Sequence, residues 1–140
     1  MTDSLLVVAK RPQAGQTKTR LTPPLSAGQA AALYECFLRD TLDLMRQAPG
    51  VERRIAYLPA NEEDYFRGLA PDFGLLLQAG DDLGQRLNNA LTACLNGAGD
   101  KAVIMDSDSP SLPAECLAGA FTALEEADVV LGPCEDGGYY

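Results

Sequence analysis

Lys10, Arg11, Lys18 and Arg20 crowd the stretch KRPQAGQTKTRL at positions 10–21, with Gly15 among them. Cationic side chains around a glycine, on a loop leaving the apolar run Leu5-Leu6-Val7-Val8-Ala9, can hold phosphates. The charges neutralise the anion, and glycine lets backbone N–H groups approach it. The surrounding charge makes the cluster stand out. No Asp or Glu occurs between Asp3 and Glu35, although the chain carries a net charge of −9. Lys18-Thr19 has the form of the closing pair of a Walker-type phosphate loop, but that motif needs a glycine before the lysine, where Thr17 stands. An NTP-hydrolysing P-loop is therefore disfavoured. The plainer alternative is an ordinary strand-to-helix loop with solvated lysines.

Acids form a second constellation. Asp106 and Asp108 follow the apolar run at 102–105 (AVIM), in Asp106-Ser107-Asp108-Ser109-Pro110. Alternate side chains of an extended segment project to one side, so the pair has the spacing to ligate a divalent cation. The same residues are also good turn and helix-cap sequence. Asp136, in Glu135-Asp136-Gly137-Gly138, follows a later apolar run and is expected on the same sheet edge, so that three acids converge. A phosphate charge about 4 Å from a carboxylate meets repulsion on the order of 4 kcal/mol at an effective dielectric of about 20. A phosphorylated ligand beside these acids therefore requires a cation. Loop and acids read together as a nucleotide site: a diphosphate or triphosphate bridged by Mg²⁺ or Mn²⁺, with Lys18 and Arg20 neutralising the remaining charge.

Composition narrows the chemistry further. The 140 residues are 46% apolar and 22% charged, the proportions of one soluble globular domain. The longest apolar runs fall far short of the roughly 18 residues a membrane span needs, and the N-terminus reads as a first strand, not a secretory signal. With no histidine, Ser-His-Asp and Cys-His nucleophiles and His-ligated metals are excluded, which leaves carboxylate ligands suited to Mg²⁺ or Mn²⁺. Cys36, Cys94, Cys116 and Cys134 form no Cys-x-x-Cys pair and are expected to be free thiols in a reducing cytoplasm. A pI near 4.3 disfavours nucleic-acid binding.

The elements that must position these residues alternate between strand and helix. Residues 4–9 predict a first strand. Ser26 and Gln29 form a capping box opening a helix to about Gln47, with Leu33, Phe37 and Leu44 inward and Gly50 as a stop. A strand is expected at 54–58, a short helix at 62–69 and a strand at 75–77. Asp81 or Asp82 caps a helix with Leu83, Leu87, Ala90, Leu91, Cys94 and Leu95 at helical spacing, ended by Asn-Gly-Ala-Gly. After the strand at 102–105, Pro113 should occupy the first turn of a helix ending near Ala127, before a last strand at 129–131. Such alternation implies an α/β fold with a mainly parallel sheet and helices on both faces, whose ligands bind beyond the carboxyl ends of the strands.

Motifs in fixed order along the whole chain carry a family resemblance. They are KRPQAGQTKTRL; Leu33-Tyr34 to Asp40; Gln78-x-Gly80-Asp81-x-Leu83-Gly84-x-Arg86; Asp106-Ser107-Asp108-Ser109-Pro110-Ser111-Leu112-Pro113; Asp128 to Val130; and Gly132-Pro133-x-Glu135-Asp136-Gly137-Gly138-Tyr139-Tyr140. Together they resemble the bacterial nucleotide-diphospho-sugar transferase-like family, some of whose members are labelled glycosyltransferases of arsenosugar biosynthesis. The resemblance implies the GT-A fold, a Rossmann-like three-layer sandwich shared with nucleotidyltransferases of the molybdenum-cofactor and deazaflavin-cofactor pathways. Family members continue past the Asp-Gly-Gly-Tyr-Tyr motif, so the domain spanning 1–140 is expected to lack a C-terminal part, or to satisfy its open sheet edge with another copy of itself.

Position by position, the resemblance implies that Gly15, Lys18, Thr19 and Arg20, with Lys10 beside them, form the nucleotide-phosphate loop. It makes Asp108 the metal-binding aspartate, places Gly84 and Arg86 in the nucleotide pocket, and makes Asp136 the acid of the turn closing the metal or acceptor pocket. Asp106 stands where the family has glycine, and is a candidate second ligand, ribose contact or solvated acid. The implied reaction is metal-dependent transfer from a nucleotide-activated donor to a small-molecule acceptor, with Asp108 and Asp136 holding the cation against the donor phosphates and Lys18 and Arg20 stabilising charge on the leaving diphosphate. Glycosyl transfer from a nucleotide sugar leads. Nucleotidyl transfer from an NTP, a non-catalytic nucleotide-binding module and a purely structural partner protein stand as alternatives.

Overall fold

A strand with an unbroken apolar run, such as LLVVA at 5–9, is stable when covered on both faces. In the computed structural model, which describes residues 2–96 and 101–140, β1 (Asp3–Lys10) meets that condition. It lies between β2 (Val51–Leu58) and β4 (Ala102–Met105), with β3 (Gly74–Leu77) beyond β2, and every pairing is parallel. Its side chains alternate between two cores. Leu5, Val7 and Ala9 pack with Leu38, Leu42 and Met45 of α1 (Ala27–Arg46), Phe66 of α2 (Glu63–Leu69) and Leu117 of α4 (Ala114–Ala123). On the opposite face Leu6 packs with Ala56 and with Ala90 and Cys94 of α3 (Leu83–Leu95). Helices α1, α2 and α4, the sheet, and α3 are the three layers, so the expected α/β Rossmann-like sandwich is present.

The expected helix starts are sharply made. Ser26 and Gln29 form the capping box reciprocally, and Asp82, not Asp81, caps α3 by accepting from Gln85 N–H. Several expectations are corrected. The buried stripe of α1 runs through Ala30, Tyr34, Leu38, Thr41, Leu42, Leu44 and Met45, leaving Leu33 36% exposed and Phe37 half-buried. Leu38, Leu42 and Met45 set the inward direction by packing with Leu5, Val7 and Ala9 of β1, and the Tyr34 hydroxyl meets a polar partner described below. Pro113 is the N-cap of α4, one residue before the helix, and α4 ends at Ala123. Residues 129–131 form no strand: Val129 and Leu131 are 75% and 65% exposed. Part of the Asn-Gly-Ala-Gly stop lies outside the described residues.

The chain after α4 instead runs beside a largely apolar groove of about 630 Å³ on the outer side of β4, lined by Leu91, Val103, Leu117, Val130 and Tyr139, among others. Among the described residues, nothing pairs with that outer side of β4. No described helix is long and apolar enough to cross a membrane.

Phe66 fixes the α2 corner. It is fully buried, its ring centroid 5.5 Å from Tyr57 and 5.0 Å from Tyr65. Truncating so enclosed a ring removes both its transfer energy and its packing. Phe66→Ala is expected to lower unfolding stability by about 3–5 kcal/mol, measured by urea denaturation against the wild type.

Candidate functional site

The loops following β1 and β4 are neighbours because the chain adds β2 and β3 on one side of β1 and then returns to place β4 on the other. That reversal is a topological switch point, where open α/β sheets bind their ligands. The loop after β1 is shaped from within. Arg11 N–H donates to the Leu58 carbonyl at 3.0 Å, and the buried Thr17 hydroxyl accepts from Gln13 N–H at 2.8 Å. Gly15 turns the chain at φ 81°. Lys18 then adopts φ 50°, ψ 44°, and among the described residues it is the sole non-glycine residue with positive φ. A lysine in this region costs on the order of 1 kcal/mol or more, so its surroundings must hold it there. They do so through charge: the ammonium pairs with the Asp108 carboxylate from the loop after β4, and lies 5.4 Å from the centroid of the Tyr34 ring.

Tyr34 links the same parts. Its hydroxyl hydrogen-bonds Ser107 Oγ at 2.8 Å and lies 3.4 Å from Lys10 N–H, a long contact. Burial, reinforced by the charges of Asp108 and Asp106, raises the phenol above its ordinary value of 10.0 against the lowering effect of Ser107 and Lys10, so it stays protonated at neutral pH. Asp106 is half-buried and its Oδ1 accepts from Asp108 N–H at 3.1 Å, shaping the turn that presents Asp108.

The opposite wall belongs to the start of α3. Gly80 sits at φ 134°, and a Cβ there would stand 2.7 Å from Gln85 Cβ and 3.0 Å from Arg86 N, so only glycine fits. The Gly80 carbonyl accepts from Arg86 Nε at 3.1 Å, which fixes the guanidinium stem. Gln78 Nε2 donates to the Ala56 carbonyl at 2.8 Å. Lys10, Lys18, Arg86, Asp108, Tyr34, Ser107, Gln78 and Leu83 thus surround a cleft of about 410 Å³ at the carboxyl edge of the sheet, a size suited to a small ligand.

The structure brings together Lys10, Lys18, Arg86 and Asp108 from the sequence-derived set and leaves the others outside this cleft. Gly15 is the exposed apex of the loop, and Thr19 and Arg20 lie exposed in a 3-10 turn, Thr19–Leu21. Gly84 is in the first turn of α3, where a Cβ would meet Asp82 Oδ1 at 3.4 Å. Arg11 points to the start of α2, pairing with Glu62 just before the helix and lying 4.9 Å from the ring centroid of Tyr65 within it. Asp136 is exposed and closes its own turn, Oδ1 accepting from Gly138 N–H at 2.9 Å, because the segment holding it follows the β4 groove and does not enter the sheet. The expected convergence of three acids is therefore absent: among the described residues no three His, Cys, Asp or Glu side chains gather into a metal cage. The donor set fits a different mode. Asp108, with half of its side chain exposed, can offer one carboxylate to a cation whose other ligands are phosphate oxygens and water, which is how Mg²⁺ commonly binds.

Tyr34, Ser107 and Gln78 escaped sequence reasoning as site residues. The signal for Tyr34 was available in the i, i+4 series Ala30-Tyr34-Leu38, which sets it on the buried face.

A sequence profile of DUF2064, described as an uncharacterized protein conserved in bacteria, matches residues 41–140. The chain belongs to the DUF2064 family. This DUF2064 chain is also similar, at 33% identity and a TM-score of 0.93, to the crystal structure of a proposed nucleotide-diphospho-sugar transferase from Desulfovibrio desulfuricans G20, the match covering 100% of this chain and 62% of that one. It shares its fold with 4-diphosphocytidyl-2C-methyl-D-erythritol synthase from Anaerococcus prevotii DSM 20548, at 15% identity and TM-score 0.61, over 99% of this chain and 61% of that one. The same holds for CMP:2-keto-3-deoxy-manno-octonic acid synthetase complexed with CTP, at 12% identity and TM-score 0.61, over 94% and 50%. The DUF2064 chain thus spans less than two thirds of the length of each of these structures. No curated protein matches it.

Gly80→Ala is expected to destabilise the protein by about 1–3 kcal/mol, because the left-handed backbone and the contact with Gln85 both oppose a Cβ. It should also displace Arg86. Chemical denaturation reads the first effect, and a crystal structure of the variant reads the second.

Proposed function

We propose that this domain belongs to a metal-dependent transferase that uses a nucleotide-activated donor, and that the donor is a nucleotide sugar. The observation that supports the reading is the meeting of three cations, Lys10, Lys18 and Arg86, with one carboxylate, Asp108, in a single cleft at the switch point of the sheet. Phosphates satisfy the cations, and a divalent ion removes the repulsion between those phosphates and Asp108. Asp108 holds the ion, which neutralises negative charge on the donor when bound. Lys18 and Arg86 orient the diphosphate, and Lys18 stabilises the charge that accumulates on it as the leaving group departs. Arg20 and Asp136, the other sequence-derived candidates for leaving-group and metal contacts, lie outside the cleft, so Lys18 and Asp108 carry the proposal. The acceptor is a small molecule, and the setting is the cytoplasm.

Nucleotidyl transfer from an NTP is the second reading, favoured by the fold likeness to the CTP-complexed synthetase. The two differ in the bond broken. Glycosyl transfer releases a nucleoside diphosphate from a nucleotide sugar, whereas nucleotidyl transfer releases pyrophosphate from an NTP.

Thermal denaturation with UDP-, GDP- and CDP-linked sugars and with NTPs, each with Mn²⁺, Mg²⁺ or EDTA, tests the site. A ligand at 100 times its Kd is expected to stabilise by about 2.7 kcal/mol. Lys18→Ala should weaken this binding at least about tenfold, and Asp108→Ala should abolish its metal-dependent part. Chromatography of the products then assigns the bond. A melting temperature indifferent to every nucleotide and metal would overturn the nucleotide reading.

A further inference from the structure

We infer that the Lys18–Asp108 ion pair is a latch that couples the binding of phosphate to the binding of a divalent cation. The inference rests on the nucleotide reading only for the identity of the natural ligand. The pair joins the loops after β1 and β4, and its two charges cancel one another. The partners are held toward each other from both sides. Lys18 is kept at φ 50° with its ammonium over Tyr34, while the Tyr34 hydroxyl grips Ser107, and Asp106 shapes the turn around Asp108. Among the described residues, Lys10 and Arg86, the other cations of the cleft, have no carboxylate partner. They can take a phosphate without breaking anything; Lys18 cannot.

A cation arriving alone must displace the ammonium from Asp108. A phosphate arriving alone must draw the same ammonium away from its carboxylate. When both arrive, Lys18 transfers to the phosphate and Asp108 to the cation, and no charge is left unpaired. Each ligand then raises the affinity for the other by the same factor, as linkage requires. The ion pair is partly exposed, with side chains 28% and 50% accessible for Lys18 and Asp108, so the factor is modest, on the order of threefold to tenfold.

Two titrations by calorimetry test this, with folding of each variant checked by its melting transition. In the first, Mn²⁺ alone is titrated into wild type and Lys18→Met, with Lys18→Gln as the substitute should the methionine variant not fold. The variant is expected to bind Mn²⁺ about three to ten times more tightly, although it has lost a phosphate ligand. In the second, inorganic pyrophosphate is titrated in EDTA into wild type and Asp108→Asn. The variant is expected to bind it more tightly by a similar factor, and added Mn²⁺ should no longer improve its affinity. Unchanged or weaker Mn²⁺ binding by the lysine variants, or unchanged or weaker metal-free pyrophosphate binding by Asp108→Asn, overturns the latch. Nucleotide binding that survives in wild type alongside such a result leaves the functional reading standing and removes only the coupling. A gain in both titrations with no nucleotide bound by wild type does the reverse.

Discussion

The burial of β1 on both faces is the constraint on which the rest of the molecule depends. A strand whose residues alternate between two apolar cores must have helices above and below, and must have neighbours on both edges to satisfy its backbone. Three helices on one side and one on the other follow, as does the return of the chain that sets β4 against the free edge of β1. That return creates the crevice. The residues with chemistry to offer sit around that crevice, at a strand end (Lys10), in the loops (Lys18, Asp108) and on the flanking helices (Tyr34, Arg86), because the strand interiors have no room for them.

The electrostatics of the cleft run against those of the whole chain. A protein of net charge −9 repels anions at long range, yet three cations face one crevice. The positive charge works at short range, where the nearby low-dielectric core strengthens it and salt screens it least. Tyr34 binds the two halves of this arrangement, presenting its ring face to an ammonium and its hydroxyl to Ser107. A phenylalanine at that position could offer the first contact alone.

Much of this was legible in the chain. The run Leu5 to Ala9, the capping box at Ser26 and the acidic loop after residue 105 each have a strong local cause, and the alternation of strand and helix then places both loops on one edge. Leu33 and Phe37 mislead about the inner face of α1 because both are large and apolar, whereas the face that packs on β1 runs through Leu38, Leu42 and Met45 and leaves Leu33 exposed and Phe37 half-buried. The cation set was read as a cluster in sequence, but proximity along the chain does not decide direction. Arg11 and Lys18 leave the same loop and end on opposite sides, each drawn by a carboxylate from a distant segment, Glu62 or Asp108. The expected strand at 129–131 has suitable composition, yet a strand is defined by its neighbour, and no sequence pattern in that triplet reveals whether the edge of β4 will receive it.

Among the described residues the outer edge of β4 has no strand partner, and that has a consequence in solution. Unpaired N–H and C=O groups beside an apolar groove form a template for strand addition, which natural sheets normally obstruct. Beside the segment after α4, which lines that groove, repulsion between copies of like charge opposes such addition, and it reaches only about 10 Å at 0.1 M ionic strength and about 3 Å at 1 M. Like charge on separate copies opposes their approach most strongly in dilute buffers of neutral or alkaline pH, and high salt, or acidity approaching the pI near 4.3, weakens that repulsion.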